Sequence, residues 1–126
     1  MIKYILDTSA ILALLFLETG WEHVDRMLSE SGVSAVNVAE ALTKLKQHNI
    51  SLESASKELF SLDLEIYDFT TQHALKAAEL RQPTKHLGLS LGDRSCLALA
   101  IHENATAVTA DRLWSKLNVC PIELIR

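Results

Sequence analysis

Cysteine, glycine, proline and aromatic residues are all scarce in this 126-residue chain. Its two cysteines, Cys96 and Cys120, are too few for a disulfide framework, and no CxxC or Cys/His cluster has zinc spacing. Both lie in apolar surroundings, where a buried thiol in a reducing compartment is the natural reading. Four glycines leave no phosphate-cradling Gly-rich loop, and no G-x-S-x-G nucleophile elbow occurs. Aromatics at 6% exclude an aromatic platform for stacking bases. There is no basic excess, since twelve Lys and Arg face sixteen Asp and Glu for a net charge of −4. That balance disfavours a generic nucleic-acid-binding module. Long apolar runs are missing too. Ala10–Leu17 falls far short of the ~20 residues of a membrane span, Asp7 interrupts the stretch before it, and no small-x-small cleavage site follows. The expectation is a mature, soluble, cytoplasmic protein with no membrane association.

What is present is ordinary globular material, 48% hydrophobic and 22% charged, in a length suited to a single domain over residues 1–126. Apolar strands are expected at KYIL, Val33–Val36, Glu65–Phe69, Thr106–Thr109 and Ile122–Ile125. Helices are expected after Thr8 and Ser9, which can cap the first one through Leu17, and then over Trp21–Ser29. Further helices are expected from Asn37 to His48 and over Leu52–Leu62, Thr70–Gln82, Asp93–His102 and Arg112–Leu117. Strands alternating with helices predict an α/β fold, with a mainly parallel sheet of four to five strands between two helical layers.

In such folds sites form beyond the carboxyl ends of the strands. Four acids fall there. Asp7 follows the first strand, Glu40 lies one turn into the helix after the second, Asp93 opens a helix, and Asp111 follows the strand AVT. A helix-opening Asp is commonly a cap, and a helix Glu is commonly solvated. Asp7 differs, because a carboxylate after a buried strand is desolvated unless something compensates it. Gathered together, the four would repel one another without a cation, and oxygen ligands without Cys or His suit Mg²⁺ or Mn²⁺. With these four set aside, acids and bases balance at twelve each. None of the five histidines forms a catalytic pairing, and His23, His48 and His73 read as surface helix residues.

Four segments, MIKYILDTSAILALL, SAVNVAEAL, GLSLGDRSCLALA and VTADRLW, resemble the motifs of PIN-domain ribonucleases, and most of all the VapC-like toxins of type II toxin–antitoxin pairs. The resemblance spans essentially the whole chain, in order. It departs from the family at Thr19, often Pro, and over His102–Ala105, often a Gly-containing turn. It implies a PIN-like α/β/α fold and a metal-dependent endoribonuclease in which Asp7, Glu40, Asp93 and Asp111 are both catalytic and metal-binding, holding one or two Mg²⁺ or Mn²⁺ ions. Thr8, Ser9, Asn37 and Thr109 would orient these carboxylates, and Arg94 and Arg112 would contact substrate phosphate or form salt bridges. Either Glu40 or Asp93 suits a general base. The implied substrate is tRNA or ribosomal RNA, cut to 5′-phosphate and 3′-hydroxyl ends. The implied partners are a small cognate antitoxin and a second copy in a homodimer. The apolar side chains of Leu14, Leu15, Phe16, Leu17, Trp21 and Met27, more than one helix face readily buries, agree with an interface.

Two other readings compete. A receiver-type phospho-acceptor domain shares the length, alternation and acidic pocket. It needs paired acids after the first strand, an acceptor Asp after the third and a late Lys–Pro. Here Thr8 follows Asp7, Thr70 follows Phe69, and no Lys–Pro occurs. A catalytically inactive PIN-fold binding module is opposed by the presence of all four acids.

Overall fold

The computed structural model describes residues 1–126. Strands β1 (Tyr4–Leu6), β2 (Ser31–Ser34), β3 (Glu65–Tyr67), β4 (Thr106–Thr109) and β5 (Ile122–Leu124) form one sheet. Its order is β3-β2-β1-β4-β5, and every pairing is parallel. That order is not the 2-1-3-4-5 of flavodoxin-like receiver domains. The register sets Ile5 beside Gly32 on one side and Ala107 on the other.

Alternation along the strands divides the core in two. Leu6, Val33 and Val108 pack against α1 (Thr8–Phe16), α2 (Trp21–Met27), α3 (Ala35–Gln47) and α4 (Leu52–Phe60). Ile5 and Ala107 pack on the opposite face against α5 (Thr71–Glu79), α6 (Leu91–His102) and Trp114. The result is the three-layer α/β/α arrangement. The strand order reverses between β1 and β4, and a crevice opens beyond their carboxyl ends.

Several boundaries differ from expectation for identifiable reasons. The second strand is Ser31–Ser34, two residues earlier than its apolar signal, because its polar groups are satisfied locally. Ser31 Oγ donates to the Met27 carbonyl at 2.7 Å, and Ser34 caps α3 by accepting from Val36 N at 3.2 Å. Gly32 sits against the Tyr67 ring, which a Cβ would approach to 2.6 Å. Asn37 is therefore inside the first turn of α3. Asp7 itself caps α1, accepting from Ala10 N at 2.9 Å, so Thr8 and Ser9 are helical. Ser90 caps α6 and Asp93 closes a reciprocal capping box three residues on. On α5 the buried stripe is His73, Ala77 and Leu80, while Ala74 and Ala78 are exposed. His73 is thus a core residue. Burial and the neighbouring His102 imidazole lower its pKa, and the two rings meet edge-on at 5.0 Å.

The apolar surplus of the first two helices is smaller than expected. Leu14 and Met27 belong to the core. Leu15 and Phe16 line a small pit of about 90 Å³ with Leu45, Ile50 and Ala55. Leu17, at a left-handed φ of 55°, is 65% exposed.

Candidate active site

Asp7 is set by β1. Its backbone N–H donates to the Val108 carbonyl at 2.9 Å, which places the residue where β1 and β4 diverge. Asp7 is 3% exposed. Oδ1 accepts from Ser9 Oγ at 2.7 Å and from Ala10 N at 2.9 Å, and Oδ2 accepts from Thr109 Oγ1 at 2.6 Å. Burial pushes the carboxyl up to about 6. The three hydrogen bonds oppose that shift, and the charge of Asp93 adds to it. The two hydroxyls are themselves positioned: Ser9 Oγ accepts from Ala110 N at 2.9 Å and Thr109 Oγ1 from Asp111 N at 3.0 Å. One hydrogen-bonded unit therefore joins the end of β1, the start of α1 and the end of β4.

Glu40 is set from the other direction. Its Oε1 accepts from Thr8 Oγ1 at 2.7 Å and from Asn37 Nδ2 at 3.3 Å. Asn37 Nδ2 also donates to the Gly92 carbonyl at 3.2 Å, which can only accept, and this fixes the amide orientation. Asn37 Oδ1 is buried without a partner. Asn37 thus bridges α3 to α6 and does not itself line the crevice. Gly92 is required there, because a Cβ on it would overlap the Glu40 carboxylate.

Asp93 Oδ2 accepts from Ser90 N at 2.9 Å, and Asp111 Oδ1 from Leu113 N at 3.0 Å. Glu40, Asp93 and Asp111 each commit one carboxylate oxygen to the protein and leave the other without a protein partner.

All four acids line one cleft of about 320 Å³. Thr8, Ser9, Leu12, Lys44 and Ser90 complete its wall. No three carboxylates converge closely enough to ligate one ion directly. The donor set fits a small hard cation that keeps part of its water shell. It offers three free carboxylate oxygens, and Asp7 is a buried acid whose ionisation calls for a compensating positive charge.

Of the expected site residues, Arg94 is not brought to the cleft. Its Nη1 donates to the Ala77 carbonyl at 2.9 Å, tying α6 to α5, and its Nε is buried without a partner. Arg112 lies in an adjoining cleft. Lys44 and Gly92 were missed. Lys44 reads in sequence as a favourable charge near the end of its helix, yet it stands four residues after Glu40 and so on the same helix face.

The PIN-domain family profile matches residues 4–119. The chain belongs to the PIN-domain family. Its fold is that of VapC toxins solved in toxin–antitoxin complexes. It is similar to a chain of VapBC2 from Rickettsia felis bound to a promoter DNA fragment, at 25% identity, 98% coverage of each chain and a TM-score of 0.76. A chain of DNA-bound VapBC from Salmonella typhimurium is 20% identical over 100% of both chains, with a TM-score of 0.76. VapC20 from Mycobacterium tuberculosis, a sarcin–ricin loop cleaving toxin, is 15% identical over 90% of this chain and 93% of its own, with a TM-score of 0.71. No curated protein matches the chain. No helix is long and apolar enough to cross a membrane.

Proposed function

We propose that this protein is a metal-dependent endoribonuclease, acting in the cytoplasm as the toxin of a toxin–antitoxin pair. The observation that carries the reading is the single cleft lined by Asp7, Glu40, Asp93 and Asp111, with one unpartnered oxygen on each of the last three. The fold shared with VapBC assemblies and with an RNA-cleaving VapC supports the toxin role. Asp7, Glu40, Asp93 and Asp111 would hold Mg²⁺ or Mn²⁺, directly or through water. Such an ion, when bound there, would lower the pKa of the attacking water and offset charge on the phosphate.

The remaining work falls to the chain. Ser9 and Thr109 keep Asp7 in one orientation, so its charge is fixed at the cleft floor. Thr8 and Asn37 hold Oε1 of Glu40, leaving Oε2 to accept a proton. Asp93 offers an equivalent oxygen, so either carboxylate suits the general base. Water attacks phosphorus in line, the bond to O3′ breaks, and O3′ takes a proton. The products carry a 5′-phosphate and a 3′-hydroxyl. Transfer RNA or ribosomal RNA is the substrate class.

The surface beside the cleft supports an antitoxin partner. A groove of about 440 Å³, lined by Val36, Ala39, Thr43, Gln47 and the exposed Leu91, shares Glu40 and Lys44 with it. A segment of a small antitoxin lies along this groove and presents a basic side chain to the acids, silencing them by charge competition. The toxin itself is a homodimer.

The decisive test incubates purified protein with bulk tRNA and ribosomal RNA in Mn²⁺ or Mg²⁺. Cleavage that EDTA stops, metal restores and Asp7→Asn abolishes is expected. Full cleavage by Asp7→Asn, free of contaminating nuclease, would overturn the assignment.

A further inference from the structure

A second cleft, of about 780 Å³, opens on the other side of the loop that carries Asp111. Leu17, Glu18 and Thr19 line it together with Ala110, Arg112 and Arg126. Asp111 lines the acid cleft while its two chain neighbours line this one, so consecutive residues ~3.8 Å apart join the two.

The wall around Arg126 is built by backbone packing. Gly20, at φ 97°, lets the turn between α1 and α2 lie directly on the Ile125 carbonyl, where a Cβ would collide. Ile125 N donates to the Thr109 carbonyl at 3.0 Å, which fixes the chain beside β4. The Arg126 guanidinium is then held in place. Its Nη1 donates to the Thr19 carbonyl at 2.9 Å and stands 3.6 Å from Glu18 Oε1. Arg112 is exposed and makes no hydrogen bond or ion pair. Two guanidinium side chains thus line a cleft in which Glu18 is the one acidic side chain, beside a site lined by four acids. A polyanion approaching four acids gains from positive charge just outside them, and the planar guanidinium fork matches phosphate oxygens.

We propose that this cleft binds a backbone phosphate of the RNA adjoining the scissile one, with Arg126 as the pre-set contact and Arg112 as the mobile one. The inference rests on the endoribonuclease reading above. It gives the net-negative chain a local means of holding RNA beside the acids.

The test is the salt dependence of kcat/KM for cleavage of bulk tRNA in Mn²⁺, comparing wild type, Arg112→Gln, Arg112→Lys and Arg126→Gln. Each Gln variant should raise KM about tenfold, the size of one charge-assisted contact. Each should also reduce the log–log salt slope by about 0.7. Arg112→Lys should recover much of the loss. Arg126→Gln also frees the turn at Thr19, so Arg112→Gln, which breaks no contact, is the deciding variant. Unchanged KM and salt slope in Arg112→Gln would overturn the proposal. So would a variant that keeps its KM for tRNA but loses competitive inhibition by octaglutamate, since the cleft would then serve an acidic peptide. A wild type that cleaves no RNA overturns the endoribonuclease reading itself, and this proposal with it.

Discussion

Replacing Asp7 by Asn should stabilise the metal-free protein at neutral pH while removing its activity. The carboxyl is pushed from 3.8 to about 6 in the fold, chiefly by burial. At ~1.36 kcal/mol for each tenfold change in proton affinity, its ionisation costs the native state about 3 kcal/mol. A raised carboxyl pKa means the native state holds the proton more tightly than the unfolded chain. Below pH ~4 both states are protonated and the penalty is absent. It grows as pH rises from ~4 towards 6 and is complete above that. Asn has no such dependence. The stability difference between variant and wild type should therefore move by about 3 kcal/mol in favour of Asn across this window. Other titrating groups cancel in the difference. For a chain of this length that corresponds to about 10 °C in melting temperature. The assay is urea unfolding of both proteins in EDTA from pH 4 to 8. Saturating Mn²⁺ should then rescue wild type by about 3 kcal/mol at a hundred times its dissociation constant, and the variant far less. A difference that stays flat across pH, or that moves against Asn, would refute the reasoning, because the buried carboxylate would then carry no penalty.

Gly92→Ala should abolish cleavage and lower stability by about 1–3 kcal/mol, since the new methyl group displaces Glu40; urea unfolding with a cleavage assay reads both. Arg94→Ala should cost about 1–2 kcal/mol by cutting the bond to Ala77 while leaving kcat/KM per folded molecule unchanged, as thermal melts and kinetics would show. His73 is held towards its neutral form, so it contributes stability above its unfolded pKa of ~6.5 that is lost as pH falls below that value. His73→Gln should flatten that acid-side loss in urea titrations, and an unchanged slope would count against it.

The strands that read clearly in sequence are those whose residues are apolar on both faces, such as Tyr4–Leu6 and Thr106–Thr109. Ser31–Ser34 did not, because its serines are buried on hydrogen bonds to Met27 and to the helix start, which composition cannot show. Asp7, Asp93 and Asp111 are visible as acids at element ends. Glu40 is distinguishable from a solvated helix residue only through the resemblance, since what marks it in three dimensions is Asn37, Thr8 and the missing side chain at Gly92. Arg94 follows an acid directly and so looks like part of the site, but the adjacent helix residue points about 100° away, towards α5. Lys44 is the opposite case: its i+4 spacing from Glu40 puts both on one helix face, a signal masked by its place near the end of the helix. His73 falls in register with Ala77 and Leu80, so helical spacing alone marked it as buried.

The hydrogen bond from Thr109 to Asp7 spans 102 residues of sequence. Asp7 and Glu40 lie in the first third of the chain, Asp93 and Asp111 in the last. During synthesis, therefore, no growing chain holds the four acids together until Asp111 has left the ribosome. Until the segments bearing Thr109 and Gly92 are made, Asp7 lacks its partner hydroxyl and Glu40 lacks the tie through Asn37 to Gly92. Drawing the site from segments so far apart in sequence means that no contiguous stretch shorter than Asp7–Asp111 can assemble the four acids.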